Sequence, residues 1–428
     1  MEFVPALLML LLFAADIPIA FGMAIAALSF FFFADGLPLR LYVQKIVQVT
    51  DSYPLLAVPF FICAGAIMNH AVITRRLLNL ADALVGHMVG GIAQANVVLA
   101  TLMGGLSASA NADAAMQAKM LGTEMVRRGY SAGFAAAITA CAAVITPIIP
   151  PGIGLIIYGY LADVSVGRLF IGGIVPGLML CGALMTTVHF MSKRRGYKPV
   201  RTRRVSAREL GKAVVDGAGA LSIVAFILVG IRYGIFTPTE AGAMTVVYAT
   251  LVGALWHREL KWAAFGPIVL ETVLATSAVM IIICAASAFG FYMSWQRIPA
   301  RGAEFLIHLT QQPWLLLLLI NVGLLVVGML IEGTAALILL TPILVPAITK
   351  AGIDPLHFGL VIVINLTVGG VTPPVGTMMF TTCSIMRVKI ETFVREGWPF
   401  IAAMLAVLLL VTYVPALATW LPTQMMGP

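Results

Sequence analysis

The sequence predicts an all-α polytopic membrane protein built from two inverted repeats, each with a re-entrant hairpin and a broken transmembrane helix. Three observations carry this. Of the 428 residues, 61% are hydrophobic and 10% charged, and mean hydropathy is +1.02. A soluble domain carries about 25% charged residues, so apolar runs of the roughly 20 residues a span requires fill nearly the whole length. The basic residues cluster in a few connections. Finally, a proline pair flanked by apolar sequence occurs twice, in "VITPIIPPGIG" (Val144–Gly154) and "GGVTPPVGT" (Gly369–Thr377), 223 residues apart.

The charge pattern orders the elements. The densest run, "KRRGYKPVRTRRVSARELGK" (193–212), separates two hydrophobic blocks and is cytoplasmic by the positive-inside rule. Working outward, helices are expected near 3–16, 18–34, 53–73, 167–192, 213–233, 237–257, 266–293 and 396–421. Segments 131–162 and 355–386 each cross once but are interrupted. This plan leaves seven of the 26 basic residues outside (Arg40, Lys45, Arg168, Arg232, Arg297, Arg301 and Lys350) and puts both termini on the outer face. The first segment lacks the basic start of a signal peptide and carries Glu2 there, so it reads as a retained helix.

Residues 88–126 have basic pairs before and after them, Arg75–Arg76 and Arg127–Arg128. They therefore enter and leave on one side, as a hairpin with its tip near 104–111. The second hairpin is 313–349, with its tip at 328–334. Before each lies an amphipathic stretch, 75–87 and 298–310, expected as an in-plane arm helix. The repeats are then 1–192 and 213–428, joined by the basic loop 193–212. At the 223-residue offset Gly105 matches Gly328 and Gly129 matches Gly352; "DIPIAFGM" also resembles "FTPTEAGAM". On this topology the halves are inverted, a signature of secondary transporters.

Proline in a helix removes the donor for the carbonyl four residues earlier and pushes its predecessor toward extended geometry. Pro150 and Pro151 are expected to free the carbonyls of Thr146 and Pro147, and Pro373 and Pro374 those of Gly369 and Gly370. Unwound membrane helices hold sodium with such oxygens, while half-helix N-termini face anions. The first expected ion site is Ser107, Ser109, Asn111, Thr146, Ile149, Pro150 and Gly152. The second is Gly328, Glu332, Gly333, Thr334, Gly369, Gly370 and Thr372. Substrate is expected against Ser107, Asn111, Asp113, Pro151, Thr334, Pro374 and Gly376. Glu332 and Asp113 stand out, because a charge inside a membrane is costly and usually functional.

Other chemistry is scarce. The five cysteines lie in apolar runs with no CxxC, and no HExxH occurs, so neither a redox pair nor a transition-metal site is expected. No GxSG with a partner histidine is present, so an enzyme is not expected. The net charge of +8 is explained by topology, without nucleic acid.

Six stretches carry a resemblance: "VPFFICAGAIMN", "LSASANADAA", "TPIIPPGIG", "GIFTPTEAGA", "GMLIEGTAALILLTPILVPA" and "GGVTPPVGT". Over essentially its full length the sequence resembles the large membrane subunit of tripartite ATP-independent periplasmic (TRAP) transporters. The resemblance implies an inner-membrane permease that imports small organic acids by sodium symport, with Na+ as the coupling ion and no other cofactor. It implies two protein partners, a small membrane subunit of about four helices and a periplasmic substrate-binding protein. It implies an elevator mechanism, with sodium at the hairpin tips and broken-helix loops. Three positions depart from the family pattern. Ala108 stands for the usual tip glycine, Gly152 for a serine, and "NHAV" (69–72) for a double glycine. The runner-up reading is a self-sufficient sodium-coupled anion symporter of related hairpin architecture.

Overall fold

The computed structural model describes residues 3–34, 36–71, 73–104, 109–201, 203–310 and 312–427. Among these every regular element is helical. The chain opens with α1 (Val4–Ala14), α2 (Ile19–Phe33) and α3 (Leu39–Gln48), then α4 (Ala57–His70) and the arm α5 (Ile73–Val85). The first hairpin is α6 (Gly91–Leu102), α7 (Ala110–Gln117) and, after a π-helical turn at Ala118–Gly122, α8 (Thr123–Arg127). The first broken helix is α9 (Ala132–Ala143) and α10 (Ile153–Ala162), followed by α11 (Val166–Arg195).

The second half opens with α12 (Ala207–Arg232), α13 (Pro238–Leu251) and α14 (Phe265–Trp295). The arm α15 (Ile298–Leu309), the hairpin α16 (Pro313–Leu330) and α17 (Gly333–Lys350), and the broken helix α18 (Pro355–Gly369) and α19 (Thr377–Met386) follow. The chain ends in α20 (Ile390–Tyr413) and α21 (Ala416–Met426).

Helix lengths explain the interruptions. Seven of the described helices are long and apolar enough to cross a membrane. The halves α9 and α10 have 12 and 10 residues, about 18 and 15 Å at 1.5 Å per residue. Together they match the roughly 30 Å hydrocarbon core, so the break between them falls near mid-membrane. α18 and α19 repeat the arrangement.

Their opposite directions are visible in contacts. Ser131, which caps the start of α9, donates to Glu396 near the start of α20 (2.6 Å), and Arg195 at the end of α11 pairs with the same carboxylate. Here too Arg201 pairs with Asp82 (2.8 Å) and Arg76 with Glu259 (2.8 Å). At the other end Tyr158, late in α10, donates to the Pro355 carbonyl at the start of α18 (2.7 Å). Arg168 there reaches the Gly427 carbonyl, and Thr239 the Tyr53 carbonyl. One end of the bundle thus collects the basic connections and the start of α9; the opposite end collects the start of α18.

The core is close-packed around fully buried Phe134, Tyr158, Phe170, Phe358, Phe393 and Phe400. A smaller cluster of Met23, Phe30, Phe31, Phe289 and Tyr292 joins α2 to α14. Two buried polar links tie each hairpin to its broken helix. Asn96 on α6 donates to Thr139 on α9 (3.1 Å). Asn365 on α18 donates to the Asn321 side chain on α16 (2.6 Å), and Asn321 donates to Thr412 on α20 (3.1 Å).

The expected elements are found, with differences after α2, in the last helix, and at the basic loop, where α12 begins at Ala207 and not at 213 and α11 runs to Arg195. The connection after α2 contains α3, an amphipathic helix with no buried residue, whose polar content hid it from a search for apolar runs. The helix expected at 396–421 is two, separated at Val414–Pro415, and α20 begins at Ile390. Proline has no N–H to continue the ladder, while Pro399 inside α20 and Pro176 inside α11 do not end those helices. The arms run 73–85 and 298–309, within two residues of expectation.

Candidate functional site

Each repeat contributes a hairpin tip and a helix break, and the four meet. In the first hairpin Ser109 caps α7, its hydroxyl accepting from Ala112 N–H (3.4 Å). In the second, Glu332 caps α17: one carboxylate oxygen accepts from Ala335 N–H (3.0 Å), the other from the Thr334 hydroxyl (2.9 Å). The proline pairs lie in the breaks, where both Pro150–Pro151 and Pro373–Pro374 are cis.

A small cavity of about 70 Å³, partly open to solvent, lies between them. Its polar walls are Ser109 and Asn111 of the first tip, Glu332 and Thr334 of the second, and Thr367 and Thr377 from the ends of the second break. Pro147, Gly333 and Gly370 add backbone. Leu337, Val363, Leu366 and Met378 supply apolar surface.

Four helices begin on this cavity. Ser109 to Asn111 start α7, Ile153 and Gly154 start α10, Glu332 to Thr334 start α17, and Thr377 and Met378 start α19. Each helix N-terminus carries roughly half a positive charge and unpaired N–H groups. Among the described residues lining the cavity, Glu332 is the only one with a formal charge. The arrangement suits an anion held by backbone dipoles rather than by lysine or arginine.

Oxygens are also present. The Asn111 side-chain oxygen is buried with no partner among the described residues, and so is the Thr146 hydroxyl, on a residue 1% exposed. The Pro147 carbonyl lies against Gly152, where a Cβ would overlap it. This accounts for glycine at 152: a side chain there requires a different path for the break.

The sequence-predicted residues divide accordingly. Ser109, Asn111, Glu332, Gly333, Thr334 and Gly370 line the cavity; Ser107 lies outside the described residues. Thr146, Ile149, Pro150, Gly152, Gly328, Gly369 and Thr372 do not line it; nor do Asp113, Pro151, Pro374 and Gly376. Asp113 is 2% exposed in the first turn of α7, one turn beyond the tip. Ile149 packs against Gly104 and Gly177.

Gly328 and Gly369 are a backbone crossing. A Cβ on Gly369 would stand 2.8 Å from two backbone atoms of Gly328. The carbonyls of Gly369 and Gly370 are not free, because the chain turns back within the break. Gly369 accepts from Thr372 N–H (2.9 Å) and Gly370 from Met378 N–H (2.9 Å). The Thr372 hydroxyl donates to Val368 (2.7 Å). Gly376 begins α19 at φ +27°, with Thr372 and Gly370 carbonyls at 2.9 and 3.0 Å from where its Cβ would be. No side chain fits that turn without strain.

Thr367 and Thr377 were missed as lining residues, while Pro147, expected to free its carbonyl, does line the cavity. Thr377 stands three residues after Pro374, at the first position of the resumed helix, and that position is the signal that marks it.

Residues 6–417 match the family described as "Tripartite ATP-independent periplasmic transporter, DctM component". The chain belongs to this family. It is 36% identical to the sialic acid TRAP transporter large permease protein SiaM of Vibrio cholerae, covering 96% of each chain. It is 35% identical to the C4-dicarboxylate TRAP transporter large permease protein DctM of Pseudomonas aeruginosa, covering 88% of each. It is 40% identical to the isethionate TRAP transporter permease protein DctMQ of Oleidesulfovibrio alaskensis, over 95% of this chain and 64% of that protein's length. Among solved structures, the Alcanivorax borkumensis YdaH transporter superposes with a TM-score of 0.66 at 16% identity, covering 92% of this chain and 91% of that one. That likeness concerns the fold.

Proposed function

We propose that this DctM-family chain is the large permease subunit of a sodium-coupled importer of a small organic acid. A periplasmic binding protein delivers the acid, and a small membrane subunit completes the permease in the inner membrane, with both termini periplasmic. The observation that carries this reading is the convergence of four helix N-termini on a cavity whose one formal charge is a carboxylate.

The electrostatics favour a cation beside the anion. Two carboxylates about 6 Å apart repel by about 3 kcal/mol at an effective dielectric of 20, roughly a hundredfold in affinity. The helix ends offset part of this. A sodium ion at Asn111, Thr146 or the Pro147 carbonyl offsets the rest, so ion and substrate bind better together than apart. This is the thermodynamic requirement for symport. The hairpins, broken helices, α11 and α20 share one core, and an elevator movement of this unit carries the cavity across the membrane. Relatives named for sialic acid, C4-dicarboxylates and isethionate support an organic acid as the cargo class.

The test is uptake in proteoliposomes containing the chain and the small subunit, with ligand-loaded binding protein outside. Uptake should require an inward sodium gradient and collapse when potassium replaces sodium at the same membrane potential. Equal uptake in both salts would refute sodium coupling. Equal uptake without the binding protein would refute delivery and favour the self-sufficient symporter.

A further inference from the structure

A second pocket lies at the basic end of the bundle, away from the cavity. Two glycine turns build it. Gly129, at φ +86°, turns the chain between the first hairpin and α9. Gly196, at φ +68°, ends α11, with Tyr197 N–H bonded back to the Ser192 carbonyl (3.0 Å). Between these turns the walls carry Arg128, Arg195 and Lys198 and no acidic residue. Glu124 pairs with Arg128 (2.8 Å) and Glu396 with Arg195. Lys198 is exposed and has no acidic partner among the described residues.

A second feature belongs to the same pocket. Tyr130 lines the pocket, is 4% exposed, and has a buried hydroxyl with no hydrogen-bond partner among the described residues. Its ring packs tilted against Tyr197, with centroids 4.2 Å apart. Burial, with Tyr197 adding to it and Arg128 opposing, pushes its pKa to about 12. At neutral pH it is therefore a hydrogen-bond donor without an acceptor. A buried donor left unmade is unfavourable, and Arg128, Arg195 and Lys198 line the same pocket.

We propose that this pocket binds a phosphoryl group, either the headgroup of an anionic phospholipid or a soluble phosphate ester. A tetrahedral oxyanion accepts from several donors at once, and Tyr130, Arg128 and Lys198 all line this pocket. Charge-assisted bonds to such groups are the strong class, and basic pockets at the cytoplasmic end of membrane helices hold lipid headgroups.

The test uses the full chain in detergent micelles. Native mass spectrometry titrates phosphatidylglycerol against phosphatidylcholine, and thermal unfolding titrates inorganic phosphate. Tyr130→Phe keeps the ring packing and removes the donor; Lys198→Gln removes the unpaired charge; Arg203→Gln is a control cation outside the pocket. Phosphatidylglycerol binding should weaken about fivefold in Tyr130→Phe and about tenfold in Lys198→Gln, and be unchanged in Arg203→Gln. The same ranking with inorganic phosphate, and none with the lipid, assigns the pocket to a soluble phosphate. If neither probe separates the two pocket variants from Arg203→Gln, the proposal is wrong.

Discussion

Replacing Gly369 with alanine puts a methyl group at the tightest backbone crossing beside the cavity. The new Cβ would stand 2.8 Å from the Cα and carbonyl carbon of Gly328, where carbon atoms prefer 3.5–4.0 Å. Neither neighbour is a side-chain end that can swing away. α16 and α18 must therefore separate by about 1 Å, at a cost of about 1–3 kcal/mol for overpacking. The separation lifts the Glu332 tip from the break that ends α18. If the ion and the anion bind only when tip and break are docked, that cost weakens both apparent affinities by about 5- to 150-fold. The assay is proteoliposome uptake, titrating substrate-loaded binding protein and sodium separately. Gly323→Ala, in the facing helix α16 with open space around it, is the control. It should cost nothing and gain up to about 1 kcal/mol of helix propensity. Half-saturation values in Gly369→Ala within twofold of those in Gly323→Ala would refute the docked-tip reasoning.

Three further outcomes follow from named contacts. Glu332→Gln keeps one cap acceptor and removes the cavity's formal charge, so the fold should persist with about 1 kcal/mol lost, while the sodium dependence of uptake changes; unchanged sodium dependence would limit Glu332 to a capping role. Asn365→Ala leaves the Asn321 side-chain oxygen without its donor in a fully buried link, so thermal unfolding in micelles should report about 1–3 kcal/mol of destabilisation. His257, buried at the basic end, has its pKa lowered by burial and by Arg76, against Glu259 and Asp216. The unfolded chain therefore takes up this proton first, and stability present above the ordinary value of about 6.5 declines as pH falls below it. Between pH 7.5 and 5.5 the melting temperature should fall less in His257→Gln than in wild type.

Much of the fold was legible because the signals were of the kind a membrane enforces. Basic residues report sides, apolar runs report spans, and a proline pair reports a break that lipid would not tolerate. The Ser109–Asn111 and Glu332–Thr334 tips were readable for the same reason, as polar sequence at membrane depth. What was not legible depends on how the chain closes on itself. Counting back four residues from each proline gives carbonyls without their helical donor, but Gly369 and Gly370 find new donors in Thr372 and Met378. Thr146 and Pro147 receive no such bond from the described residues. The two breaks share a sequence pattern and differ in wiring. Nor does spacing separate a glycine that offers backbone to a ligand from one that offers it to another helix. Gly370 lines the cavity, while Gly369 beside it packs on Gly328.

That difference in wiring has a consequence for which repeat holds what. Among the described residues the first break retains the Thr146 hydroxyl and the Pro147 carbonyl without partners, and the Asn111 oxygen on its hairpin has none either. These are neutral acceptors, suited to a cation. In the second repeat the comparable groups are consumed within the break, and its tip presents a carboxylate whose two oxygens already cap α17. A cation there would meet the full charge of Glu332 without displacing those two bonds, since each carboxylate oxygen has a second lone pair. The two repeats are related in fold and not in chemistry: we infer that the first binds a cation through neutral oxygens and the second through charge. Lowering sodium at fixed substrate should then empty the sites at different concentrations, and Glu332→Gln should shift only one of the two.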